Sequence, residues 1–170
     1  NLNILILNFI NKSCYMKKKS SVIILSVILS GFIIIQFFPI DKSVPGSDPE
    51  LDFFVVTNPP RKIVAVIKAS CYDCHSYKTR YPWYSNFAPV SWIIKSHVND
   101  GLEHLNFSEF GKYSREESSH AISEMKKEIS EKEMPLKSYL LIHREAWLSK
   151  EMRDMLIQWL SVGKNDVKMP

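Results

Sequence analysis

The chain has 170 residues, with 22 Lys and Arg against 18 Asp and Glu and a formal net charge of +4. The whole excess lies in residues 1–40, where Lys12, Lys17, Lys18 and Lys19 meet no acid, so that residues 41–170 balance at 18 against 18. A balanced stretch of about 130 residues is enough for one domain with its own core, and it lacks the basic excess that binding to nucleic-acid phosphates requires.

In chain order, the first element is the run Ser21 to Ile40 (SVIILSVILSGFIIIQFFPI), which carries no charge until Asp41. About 20 apolar residues suffice to cross a bilayer as a helix, and Ile, Leu, Val and Phe cover every face, which argues against a buried core helix. A cleaved signal peptide is the rival, but its apolar core is shorter, and no small-x-small cleavage site follows Phe38. The run therefore reads as a single transmembrane anchor over 21–40. Four lysines precede it and only Lys42, Arg61 and Lys62 follow closely, so residues 1–20 are expected in the cytoplasm and the C-terminal domain on the far, periplasmic side of the inner membrane. Met16 before three lysines reads as a translation start, which sets residues 1–15 outside the fold.

Pro45, Gly46, Pro49, Pro59 and Pro60 among several acids predict an extended tether over 41–57. The folded domain, 58–170, is expected to begin with a helix capped by Asn58, with Pro59 and Pro60 in its first turn and Ile63, Val64, Ile67 and Cys71 at helical spacing. An aromatic loop follows (Tyr77, Tyr81, Pro82, Trp83, Tyr84, Phe87). A helix is expected from Pro89 to Asn99, closed near Gly101, with Val90, Ile93, Ile94 and His97 on one face. Ser114 and Glu117 form a capping-box pattern that predicts a helix over Arg115–Glu131, with Ile122, Met125 and Ile129 as its stripe. Ser149 is placed to cap a last helix carrying Met152, Met155, Leu156, Trp159 and Leu160, with Gly163 as its stop. No strand pattern, internal repeat or low-complexity tract is visible.

Cys71-Tyr72-Asp73-Cys74-His75 is a C-x-x-C-H run, the pattern of c-type haem attachment. Two thiols at this spacing can add across the two vinyl groups of one haem, and the adjacent imidazole then comes beneath the iron as proximal ligand. Such attachment takes place outside the cytoplasm, in accord with the lysine bias. Three rivals explain less. A thioredoxin-like dithiol belongs in a βαβ pattern, which is missing. A structural zinc wants two more Cys or His ligands at tight spacing, and the sequence has no second C-x-x-C or H-x3–5-H pair. A disulfide leaves His75 unexplained.

Downstream, Met134-Pro135 followed by the amphipathic last helix resembles the order in small class I cytochromes c, in which the helix before the haem motif packs on the last helix and a Met is the second axial ligand. A closer resemblance joins CYDCHS (71–76), YPWYS (81–85), PVSW (89–92), His97-Val98, NFSE (106–109), Met134-Pro135, Tyr139 and His143: together these look like the bacterial haem-binding domain family of small exported proteins, over roughly residues 60–160. The sequence departs from that pattern at Leu102, where relatives often carry Arg, and at Phe110, where they often carry Trp.

The resemblance implies an all-α, cytochrome c-like domain with long loops, one covalently bound haem c, His75 as proximal iron ligand and Met134 as distal ligand, with His97 and His143 as alternatives. His104 and His120, among polar residues, are expected at the surface. The function implied is one-electron transfer with redox partner proteins at the membrane. The alternative is a gas- or redox-sensing module with an open axial site, and a peroxidase-like enzyme lacks an identifiable catalytic group.

Overall fold

The computed structural model describes the backbone of residues 2–162 and the side chains of residues 19–162. Cys14, Met16, Lys12, Lys17, Lys18 and the expected stop at Gly163 lie outside the residues described with side chains. Every regular element among the described residues is helical, so the all-α expectation holds. The chain divides into two compact units, one of residues up to Ile40 with Tyr84–Trp92, the other of Asp41–Trp83 with the chain from Ile93 onward.

In the first unit, helix α1 (Leu2–Ile35) ends one turn before the expected boundary at Ile40. Pro39 cannot donate to a helical hydrogen bond, and its ring would meet the carbonyl four residues back, so the chain leaves the helix through tighter bonds from Gln36, Phe37 and Phe38. No helix among the described residues is long and apolar enough to cross a membrane. The end of α1 carries the aromatic segment: the Gln36 side-chain amide donates to the Ala88 carbonyl and accepts from the Ala88 N–H, both at 3.0 Å. The Trp92 indole donates to the Phe38 carbonyl at 2.9 Å.

The second unit begins folding earlier than the expected tether allows. A 3-10 turn at Pro49–Leu51 leads into helix α2 (Phe53–Thr57), capped by the Asp52 carboxylate on the Phe54 N–H. The apolar run Phe53–Val56 drives this: Phe53 is buried against Phe107 and Phe110, with ring centroids 4.9 and 4.8 Å away. Burying such a side chain is worth about 1.5–3 kcal/mol. Asn58 therefore does not start the next helix; it ends α2 in the left-handed region at φ 44°. An Asn before proline is pushed out of the helical region and tolerates that conformation. Helix α3 (Arg61–Ser70) then starts from Pro60.

Helix α4 (Tyr72–His75) is the Cys motif itself, and helix α5 (Val90–His104) runs past the expected end at Asn99. Gly101 lies inside α5 rather than closing it, and Val98, Gly101 and Leu105 are buried while Ile93 of the expected apolar face is exposed. A 3-10 stretch, Phe107–Lys112, inserts Phe107 and Phe110 into the core. Helix α6 (Arg115–Glu131) has the expected bounds and both capping-box bonds, Ser114 N–H to Glu117 and Glu117 N–H to Ser114. After helix α7 (Lys137–Leu140) and a turn at Arg144–Ala146, helix α8 (Lys150–Val162) starts from Ser149, whose hydroxyl accepts from the Met152 N–H. Its Leu156 and Leu160 close the core against α6, and α8 also packs on α3, the helix before the motif.

Candidate functional site

Cys71 closes α3 and opens α4. Its N–H donates to the Ile67 carbonyl at 2.9 Å, while its own carbonyl accepts from the N–H groups of Cys74 (3.2 Å) and His75 (3.0 Å). One tight turn thus brings the three motif residues together. Tyr72, between the cysteines, points into the core: its ring stacks between Phe54 and Phe107 at 4.7 and 5.1 Å, and its hydroxyl donates to Asp52 at 2.8 Å. Asp52 also accepts from the Phe54 N–H (3.0 Å) and the Lys78 ammonium (2.6 Å). Beyond the motif, the buried Ser76 hydroxyl donates to the Tyr72 carbonyl, and the Tyr77 N–H donates to Ser108. Ser70 donates to the Ala146 carbonyl at 3.1 Å, fastening the turn before α8 to α3.

The two thiols are free rather than paired in a disulfide. Burial, then the neighbouring Cys74, pushes Cys71 up to about 12; burial, then Asp73, pushes Cys74 up to about 11. Both stay protonated at neutral pH, the opposite of the activated thiolate of a dithiol oxidoreductase. Among the described residues no three of His, Cys, Asp or Glu converge as a metal-ion site.

His75 carries the most specific geometry. Its Nδ1 lies 3.0 Å from the Leu105 carbonyl oxygen. A carbonyl only accepts, so Nδ1 must hold the proton and Nε2 keeps its lone pair. Burial lowers the pKa of His75, outweighing the raising effect of the Leu105 and Gly101 carbonyls, and His104 lowers it further, so the ring is neutral. This is the pattern of a metal-ligating histidine whose far nitrogen is oriented by a backbone carbonyl.

Gly101 gives the motif its seat on α5: a Cβ there would lie 2.6 Å from the Cys74 carbonyl oxygen, so only glycine lets the two backbones meet. On another side, the Tyr139 hydroxyl donates to Asp73 Oδ2 at 2.8 Å, and Arg80 Nε donates to Asp73 Oδ1 at 3.3 Å. Tyr139 stacks on His143 at 4.2 Å, and His143 Nδ1 lies 3.0 Å from Glu145. Met134 is half-buried, and its carbonyl accepts from Arg153 of α8 at 3.1 Å. The loop between Met134 and His143 is therefore pinned at one end by α8 and near the other by the motif. His97 is half-buried on α5 and takes no part in the bonds that hold the motif; His104 and His120 are exposed, as expected.

Gly101, expected to close α5, lies inside it as the seat of the motif, and the sequence pattern does not mark the roles of Leu105, Tyr139 and Asp73. A glycine inside a helical pattern was a signal for close approach. A backbone carbonyl such as that of Leu105 leaves no sequence signal at all.

Two free thiols and a neutral imidazole with Nε2 available, seated on α5 by Gly101, make a donor set that fits a haem. The family model described as "Haem-binding domain" matches residues 30–162, and the chain belongs to that family. No curated protein and no solved structure matches the chain.

Proposed function

We propose that the protein binds one haem covalently as haem c and carries single electrons at the outer face of the inner membrane. The observation that carries this is the His75–Leu105 bond beside two protonated, unpaired thiols. Cys71 and Cys74 would hold the haem as thioethers, each S–H adding across one vinyl C=C with the hydrogen on the other vinyl carbon and no net oxidation. His75 offers Nε2 as the proximal ligand, held at a fixed tilt by Leu105. Met134 is assigned as distal ligand, supported by the pinning of its loop through Arg153 and through Tyr139 on Asp73. His97 and His143 are the alternatives. A haem held by His75 and Met134 would supply one-electron chemistry and leave no site for exogenous ligands.

The membrane assignment is supported by the lysine bias around residues 21–40 and by α1, whose apolar residues from Val22 to Ile34 are exposed around the helix. Redox proteins at that surface are the expected partners. The central test is a haem-stained denaturing gel of the full chain exported in a host with haem-attachment machinery. Staining that disappears in the variant carrying Cys71→Ala and Cys74→Ala supports the reading; staining that persists in it ends the reading. A reporter active only in the periplasm, fused after Pro170, should be active, and activity of a cytoplasm-only reporter instead would reverse the topology.

A further inference from the structure

The segment Tyr84–Trp92 belongs to the first unit and carries no charged residue. Its polarity is inside out. Ser85 and Ser91 are buried, at 0% and 2% exposure, whereas Phe87 (51%), Val90 (43%) and Trp92 (40%) face outward. The end of α1, which this segment is bonded to through Gln36 and Phe38, exposes Phe37 and Phe38 as well. A contiguous apolar patch of this kind marks a surface that meets a protein or a lipid.

The hydrogen bonds of the same region favour lipid. Gln36 occupies both the N–H and the carbonyl of Ala88 and also donates to the Phe32 carbonyl at 2.9 Å, while the Trp92 indole donates to the Phe38 carbonyl. Backbone groups that water could serve are thus satisfied by side chains of the same unit, which is what surroundings poor in water demand. The exposure of α1 points the same way. Val22, Ile23, Ile24 and Leu25 are all exposed, and four consecutive residues go once round a helix. A protein seated on one side would leave the others uncovered, whereas lipid covers every side. The first charges after this apolar stretch are Asp41 and Lys42, directly past the Phe37–Phe38 level. Trp92, an apolar ring with one polar N–H, is the type of side chain that settles at a membrane–water boundary.

We propose that Phe37, Phe38, Phe87, Val90 and Trp92 form a lipid-docking surface in the interfacial layer of the bilayer, so that the segment Tyr84–Trp92 touches the membrane as well as α1. The proposal rests on the membrane-anchor reading above but concerns residues outside the anchor, so the two can fail separately.

The test reconstitutes the full chain into vesicles of phosphatidylcholine and phosphatidylglycerol containing a phosphatidylcholine with a diazirine either near its headgroup or at its chain end. After illumination, mass spectrometry of the peptides locates the lipid adducts. Adducts of the chain-end probe on residues 21–35 and of the headgroup probe on residues 84–92 support the proposal. The variant carrying Phe87→Asp and Val90→Asp should lose the adducts on 84–92 and keep those on 21–35; adducts on 84–92 undiminished in that variant overturn the role of these side chains. Adducts on 21–35 with none on 84–92 in wild type overturn the proposal and leave the anchor standing, and a dimeric mass in the bilayer would then assign the face to a second copy of the chain. Adducts on neither segment defeat the anchor reading and the proposal with it.

Discussion

Gly101 of α5 meets the backbone of Cys74 so closely that a Cβ would lie 2.6 Å from the Cys74 carbonyl oxygen and 3.1 Å from its carbonyl carbon. Backbone atoms cannot swing aside as a flexible side chain can. Gly101→Ala should therefore force α5 off the motif and destabilise the domain by about 1–3 kcal/mol, despite the better helix propensity of alanine. Urea unfolding measures this, and a variant as stable as wild type would show that the contact is not limiting. Less haem staining per folded protein is expected alongside.

Tyr139 and Asp73 are 66 residues apart in sequence and share a hydrogen bond of 2.8 Å. Tyr139→Phe and Asp73→Asn should each cost about 1 kcal/mol, and a double-mutant cycle should return a coupling of about 0.5–1 kcal/mol. Strict additivity would mean that the bond does not hold the loop to the motif. Hydrogen exchange in residues 137–143 should quicken in either variant.

Asp52 predicts a pH dependence. Burial pushes its pKa up, but the bonds from Lys78, Phe54 and Tyr72, with the Lys78 charge, outweigh this and hold it below its ordinary value of 3.8. A carboxylate lowered on folding adds stability that is full above the unfolded pKa and is lost as pH falls through the folded one. Wild type should lose stability below about pH 4 more steeply than Asp52→Asn, which should be weaker by about 1–3 kcal/mol at pH 7. Parallel acid-unfolding curves for the two would contradict this.

Met134→Ala should leave haem covalently attached, since both thiols remain, while lowering the midpoint potential and opening the iron to CO. The weak thioether-to-iron absorption at the red end of the oxidised spectrum should vanish. If the variant keeps the wild-type spectrum and potential while His97→Ala or His143→Ala alters them, the distal assignment passes to that histidine. Rapid CO binding by wild type would instead favour the sensing module.

The local patterns were legible in the sequence. The Cys71–His75 spacing, the Ser114–Glu117 capping box and the stripe on Arg115–Glu131 depend on residues within one or two helical turns, and such interactions leave a periodic trace in the chain. The short helix at Phe53–Thr57 was hidden because proline-rich composition on both sides masks a five-residue element whose stability comes from Phe107 and Phe110, more than 50 residues away.

By itself, then, the sequence determined that the chain is helical and that two thiols and an imidazole stand together in one C-x-x-C-H run, because helical periodicity and motif spacing are written in neighbouring residues. Only the tertiary structure decided how that motif is oriented. The Leu105 carbonyl that fixes the His75 tautomer, the backbone contact that requires Gly101, and the bond from Tyr139 to Asp73 all join residues distant in sequence. Two of them run through backbone atoms that every residue shares: the contact at Gly101 leaves no trace but a glycine inside a helical pattern, and the Leu105 carbonyl leaves none.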